Sequence, residues 1–319
     1  MILITTLNPC IDKTIYIKKN LLGKIIKAQT VKSIAGGKGN NVARVLNNLG
    51  VKNISLNFLG GYYGEIIREL LDKDKINYEF VKIKESSRSV ITVLEDDLRQ
   101  TAYVETSPEV STFEKNEMLN LFENKIIKNK NEIKLIIISG SAPSGDCADI
   151  YKKMIRIAKD NGIKTILDAS GRAFKSGIGE EPFMIKPNLS ELEDILDKKY
   201  GFASNNEKEL LPLFKELSKK IEIIILTLGK NGAIAFINNK VFKVTPPEIE
   251  TVNPVGSGDA FIAGFAYGFY HDMPYAECLR IGTAAGAANA AMWDACFCSK
   301  DQVFNLIDKV TMREIKQAC

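Results

Sequence analysis

From residue 130 onward, short apolar runs alternate with turns and with stretches of helical period. Leu135-Ile136-Ile137-Ile138 ends in Ser139-Gly140-Ser141, and Lys164-Thr165-Ile166-Leu167-Asp168 ends in Ala169-Ser170-Gly171. Ile223-Ile224-Ile225-Leu226-Thr227 ends in Leu228-Gly229. Unbroken runs of Leu and β-branched residues mark strands covered on both faces, as in a parallel sheet. Helical stretches between them, such as Ala148 to Asn161 with Gly162 as a stop, suit crossover connections. The pattern predicts an α/β fold with a doubly wound, mainly parallel sheet.

Two segments break this rhythm. Residues 13–33 and 88–105 show partial alternation, as in Ser89-Val90-Ile91-Thr92-Val93-Leu94 and Gln100-Thr101-Ala102-Tyr103-Val104, with the polar turn Glu95-Asp96-Asp97-Leu98-Arg99 between them. Half-alternating strands suit a small sheet with one open face. The expectation is a core of residues 1–12, 34–87 and 106–319, with 13–33 and 88–105 as an inserted β lid. The apolar face of that lid predicts a homodimer contact.

Composition narrows the classes. The chain has 319 residues, 45% of them apolar, and 43 Lys and Arg against 39 Asp and Glu, a net charge of +4. No block of like charge forms a nucleic-acid arm or a polybasic membrane anchor. No apolar run approaches the ~18 residues of a membrane span, and the start, Ile2-Leu3-Ile4-Thr5-Thr6-Leu7 before Asn8-Pro9, lacks the build of a signal peptide. A soluble cytoplasmic chain is expected. Cys10, Cys147, Cys278, Cys296, Cys298 and Cys319 form no CxxC pair, so reduced thiols are expected. The only histidine, His271, sits at a predicted helix end before Pro274, which excludes a His-based zinc centre.

Four turns carry glycine or capping residues in the manner of ligand sites. Such turns gather beyond the carboxyl ends of the strands in an open α/β sheet. Ala35-Gly36-Gly37-Lys38-Gly39-Asn40-Asn41 runs into a helix, and its glycines allow backbone to approach a ligand while Lys38 suits a phosphate; a plain turn is the alternative. Asn253-Pro254-Val255-Gly256-Ser257-Gly258-Asp259 opens an apolar helix, giving an anion hole. The dipole there favours the carboxylate form of Asp259, and a cap by Ser257 or Asp259 is the alternative. In Lys186-Pro187-Asn188-Leu189-Ser190-Glu191, the Asn-x-x-Glu spacing is either a capping box or a pair of oxygens facing a magnesium shell. Thr227-Leu228-Gly229-Lys230-Asn231-Gly232-Ala233 either passes a nucleotide or turns a hairpin. No GxGxxG or Walker signature fits, because Phe261 replaces a third glycine and Gly37-Lys38-Gly39 lacks Ser or Thr after Lys.

Taken in order, these motifs resemble the ribokinase-like carbohydrate kinases of the phosphofructokinase-B type over essentially the whole chain. The resemblance rests on Thr6-Leu7-Asn8-Pro9-Cys10-Ile11-Asp12, Gly36-Gly37-Lys38-Gly39-x-Asn41, Ser139-Gly140-Ser141-x-Pro143-x-Gly145, Asp168-x-Ser170-Gly171, Lys186-Pro187-Asn188-x-x-Glu191 and Gly256-Ser257-Gly258-Asp259. It implies a soluble phosphotransferase that moves the γ-phosphoryl of ATP to an alcohol group. Asp12, Gly37 and Asn41 would hold sugar hydroxyls, with Ser141 beside them. Asp259 would be the base, and Gly256, Ser257 and Gly258 would cradle the transferred group. Asn188 and Glu191 would organise Mg²⁺ mostly through water, and Lys186, Asn188, Thr227, Gly229, Gly232 and Asn289 would border ATP. Lys38 and Arg88 stand where the phosphosugar branch places cations, which is similar to tagatose-6-phosphate kinases and 1-phosphofructokinases, with residues 88–108 leaning to the former. The resemblance thus implies a ketohexose monophosphate as partner. A kinase of an unphosphorylated sugar or nucleoside and a non-catalytic sensor are the rival readings. One departure stands out: the family's Gly-Pro near the lid's end reads Ser107-Pro108 here, and Ser demands a more ordinary backbone angle.

Overall fold

The computed structural model describes residues 1–97, 99–196 and 210–315, so Leu98 of the predicted lid turn and Cys319 lie outside the described residues. One large sheet orders its strands Thr311–Glu314, Lys240–Thr245, Ala233–Ile237, Ile223–Thr227, Met184–Ile185, Thr165–Ala169, Leu135–Gly140, Ile2–Thr6, Asn53–Gly60, Tyr78–Ile83. From Ile223–Thr227 to Tyr78–Ile83 all neighbours are parallel, and the three strands at the other edge are antiparallel.

The unbroken apolar runs have a direct cause. Ile2, Ile4, Leu135, Ile137, Ile223 and Ile225 pack on one face with helices Lys38–Asn48, Ser257–Tyr270 and Tyr275–Ala290. Leu3, Ile136, Ile138, Ile224 and Leu226 pack on the other with helices Thr112–Lys128 and Ile150–Asp160. Successive strand residues point to opposite faces, so a strand covered twice must be apolar at every position. The central strands therefore end together at one rim, and Asn8, Ser141, Ser170, Lys186 and Leu228 follow them there.

A separate four-stranded sheet orders Thr30–Gly36, Cys10–Ile17, Arg88–Glu95, Gln100–Val104. In its register Cys10 lies opposite Gly36 on one side and Arg88 on the other. Three sequence-distant site segments thus meet where this sheet joins the large one. The connection between Cys10–Ile17 and Thr30–Gly36 leaves Leu22 and Ile25 more than nine-tenths exposed and Leu21 half-exposed, and the strands leave Val31, Tyr103 and Val104 half-exposed. His271 caps the C-terminus of Ser257–Tyr270 and packs against the Tyr267 and Tyr270 rings, as a helix-end histidine. Cys10, Cys147, Cys278, Cys296 and Cys298 are free and buried. No described helix is long and apolar enough to cross a membrane.

Candidate active site

A cavity of about 250 Å³ opens at the rim where the two sheets meet. It is lined by all six residues expected to hold the acceptor: Asp12, Gly37, Lys38, Asn41, Arg88 and Ser141. Asn8 and Ser170 also line it. Gly37 has φ +105°, and a Cβ there would lie 2.5 Å from the Thr6 side chain, so only glycine lets this loop lie against the strand end. Asp12 Oδ1, Asn8 Oδ1 and Arg88 Nε are buried polar atoms with no hydrogen-bond partner. Burial pushes the Asp12 carboxyl above its usual range, with Arg44 opposing. Unsatisfied buried groups converging on one cavity mark a place for a polar ligand.

Asp259 stands in the first turn of Ser257–Tyr270 and is buried. The helix dipole favours its ionised form, but burial, aided by the charge of Asp168, outweighs it and raises the carboxyl to about 6. Asn41 Nδ2 donates to Asp259 Oδ2 at 2.8 Å. Arg44 Nη1 donates at 2.9 Å to Asn41 Oδ1, and Arg44 is itself fixed by Asp74 and by the Ala35 carbonyl. The amide of Asn41 is therefore locked in one orientation, and it aims Asp259.

The helix start carries no side-chain cap, so neither Ser257 nor Asp259 serves as one. Gly256 is left-handed at φ +76°, and a Cβ there would meet Cys296 Sγ at 2.4 Å. The N–H groups of Ser257, Asp259 and Ala260 bond to backbone carbonyls, whereas those of Gly256 and Gly258 find no acceptor among the described residues. Two free N–H groups at a helix N-terminus can receive an anion. A Cβ on Gly258 would lie 3.4 Å from Lys186 Nζ, so an ammonium faces the same spot.

Behind this spot lies a buried charge cluster. Asp168 is fully buried, with Oδ1 3.2 Å from Lys186 Nζ and 3.5 Å from Lys38 Nζ. Burial pushes Asp168 up, but Lys186 and then Lys38 outweigh it and hold the carboxyl below its ordinary value. Lys38 also donates to Glu191 Oε1 at 3.0 Å. Burial works against its charge, yet Asp168, Glu191 and Asp259 raise its pKa overall. Lys38 is thus a charged lysine, paired within the protein and lining the cavity.

The residues expected beside the nucleotide lie outside this cavity. Asn188 bridges to Thr227 between strand ends, and Thr227 bonds to the Pro187 carbonyl. Gly229 and Gly232 flank a short turn joining Ile223–Thr227 to its antiparallel neighbour, so the hairpin reading is the local structure. Asn289 does not face outward: it is fully buried, donating to the Val255 carbonyl and Ser257 Oγ and accepting from Cys296 N. It braces the loop that opens the helix.

Asn188 and Glu191 form the capping box in full, each side chain accepting from the other's N–H at 2.9 Å. Glu191 Oε1 accepts from Lys38, so each oxygen of the pair already takes one hydrogen bond and keeps a lone pair for a magnesium-bound water. No three-residue cluster of His, Cys, Asp or Glu among the described residues suits a metal. Contact through water would leave the capping box whole, and Asn188 and Glu191 would hold a magnesium in that way.

Three contributors carried no role in the sequence reading. Asp168 lies in the Asp168-x-Ser170-Gly171 turn and Asn8 in Asn8-Pro9, so the sequence signals both positions without giving either a role. Arg44 gave no signal, because an arginine on a helix ordinarily reads as surface.

The model of the pfkB family carbohydrate kinases matches residues 5–301. The chain belongs to this family of phosphotransferases acting on an alcohol group. A tagatose-6-phosphate kinase from Staphylococcus epidermidis is 36% identical, with 99% of this chain and 100% of that protein covered. A 1-phosphofructokinase from Borreliella burgdorferi is also 36% identical, over 93% of this chain and 94% of the relative. A structure of phosphofructokinase-2 from Escherichia coli in its tetrameric inhibited form superposes with a TM-score of 0.83 at 23% identity, covering 96% of this chain and 98% of that one, a likeness of fold.

Proposed function

We propose that the chain transfers the γ-phosphoryl of ATP to a hydroxyl of a ketohexose monophosphate, tagatose 6-phosphate or fructose 1-phosphate, giving the bisphosphate. One observation carries this reading: a single cavity gathers the unpaired Asp12 Oδ1 and Arg88 Nε with Asn41, which is bonded to Asp259. Asp12 accepts from sugar hydroxyls, and Arg88 receives the phosphate already on the sugar. Asp259, raised to about 6, is ionised at neutral pH yet more basic than an ordinary carboxylate, as suits a general base. It takes the proton from the acceptor hydroxyl as the oxygen attacks phosphorus. The N–H groups of Gly256 and Gly258, with Lys186, stabilise the charge of the group in transfer. Names of the two relatives support a phosphorylated ketohexose.

Residues 13–33 and 88–105 act as the lid, closing over the cavity and excluding water that would otherwise accept the phosphoryl. Leu22 and Ile25, exposed on the connection between its first two strands, support pairing with a second copy through the lid. Ile25→Asp should shift the chain from dimer to monomer in light scattering, and an unchanged mass would move the contact elsewhere.

Charge reversal at the phosphate end is a sharper check. Arg88→Glu should raise KM for the sugar phosphate by at least about 100-fold, because a favourable charge-assisted pair becomes a repulsive one, while KM for ATP stays. Equal effects on both substrates would contradict the assignment. The function itself is tested by ADP release with Mg-ATP across tagatose 6-phosphate, fructose 1-phosphate, fructose 6-phosphate, fructose and ribose. Turnover confined to phosphorylated ketohexoses is expected. Turnover with free sugars alone would overturn the phosphate assignment, and binding without ADP release would make the chain a sensor.

A further inference from the structure

We infer that Asn8 is a specificity-determining residue whose side-chain carbonyl accepts a hydrogen bond from one hydroxyl of the sugar, and that Ser107 holds the amide in the orientation this requires. The inference deepens the function proposed above and rests on it. Asn8 is only 4% exposed and lines the acceptor cavity. Its Nδ2 donates to Ser107 Oγ at 2.8 Å and to Ser141 Oγ at 3.0 Å. An amide nitrogen has two hydrogens, so both are spent. Oδ1 must then point the other way, and it is buried with no partner. A buried acceptor in a polar cavity calls for a donor from outside the protein.

The chemistry of the cavity wall says which donor. Asn8 Oδ1 and Asp12 Oδ1 are both unpaired acceptors, and Arg88 Nε is an unpaired donor. A phosphate dianion only accepts, so it is drawn to Arg88 and repelled by the two oxygens. Sugar hydroxyls donate, so they match Asn8 and Asp12. A fixed acceptor of this kind discriminates between epimers, because the sugar whose hydroxyl points away leaves the carbonyl unpaired.

Ser107 gives the arrangement its particular character. It follows the strand Gln100–Val104 of the small sheet and precedes Pro108. Its φ is not positive, so the position does not need glycine. Its hydroxyl is the one that Asn8 engages. A residue delivered by the small sheet therefore orients a recognition group standing at the end of the central strand Ile2–Thr6.

The test measures sugar kcat/KM and ATP KM for wild type, Asn8→Ala and Ser107→Ala. The acceptors are whichever of tagatose 6-phosphate and fructose 1-phosphate is turned over, and its mono-deoxy analogues. Asn8→Ala should lower sugar kcat/KM by about 10–100-fold with ATP KM unchanged. Against one deoxy analogue, already poor with wild type, Asn8→Ala should lose nothing further, because both changes delete the same bond. Ser107→Ala should show a smaller loss with the same selectivity, since Ser141 still holds one hydrogen. Equal losses against every analogue, or a parallel rise in ATP KM, would reduce Asn8 to a structural residue and overturn the inference. If Asn8→Ala fails to fold, Ser107→Ala decides alone, and loss without selectivity overturns it. Wild-type silence with both ketohexose monophosphates would bring down the proposed function, and this inference with it. Wild-type turnover without a selective analogue would bring down this inference alone.

Discussion

Asp259→Asn should lower turnover by about 10²–10⁴-fold, the usual worth of a general base, while the fold and ATP binding persist. The amide keeps the shape of the carboxylate, and Asn41 still has an oxygen to donate to. Stability argues the same way. The folded carboxyl is raised to about 6, mainly by burial, so its contribution to stability is full below its unfolded value near 4 and is lost as pH rises through about 6. Above that pH a neutral amide escapes this cost, and the variant should be at least as stable as wild type. Its catalytic signature is also specific. Wild-type kcat/KM should climb with pH through about 6 and level off above it, as the base ionises. Steady-state rates from pH 5 to 9 test this, and an acid limb that survives unchanged in the Asp259→Asn variant would assign the ionisation to another group.

Asp168→Ala should be the most destabilising single change at the site. Removing this fully buried carboxylate leaves Lys186, 5% exposed at its side chain, with no ion-pair partner among the described residues, whereas Lys38 keeps Glu191. Breaking a buried pair from one side costs about 3–5 kcal/mol, which urea unfolding would register directly. The sign with pH is opposite to that of Asp259. The folded Asp168 is held below its ordinary range, so its stabilisation is present above the unfolded value of about 4 and fades as pH falls further. Wild type should therefore lose stability in acid faster than the variant. A loss under about 1 kcal/mol at neutral pH would mean that the cluster is not what orders these lysines.

The large sheet was legible because its constraint is local. Ile136, Ile137 and Ile138 are apolar in sequence since each faces a covered side, and no long-range information is needed to see it. The glycine turns were legible for a similar reason, as Gly37 and Gly256 occupy left-handed backbone against close neighbours. What escaped was set by residues far apart in the chain. Lys38 meets Asp168 across 130 positions and Glu191 across 153, so its charge reads as free until the fold pairs it. The elevated Asp259 depends on burial and on Asp168, neither of which a helix dipole reveals. Asn289 carries an ordinary polar side chain, and only the packing of helix Tyr275–Ala290 against the Gly256 loop turns it inward. Asn8 needed the same knowledge: its significance lies in which of its atoms lack partners.

In the proposed reaction the cavity presents a phosphorylated sugar's hydroxyl to Asp259 for attack on ATP. A single turnover with γ-³²P-labelled ATP and excess tagatose 6-phosphate or fructose 1-phosphate, with products separated by charge, tests it most directly. Label should appear in a ketohexose bisphosphate, formed at a rate that Asp259→Asn reduces. Label appearing as inorganic phosphate, or in a sugar monophosphate only when free sugars are supplied, would contradict it.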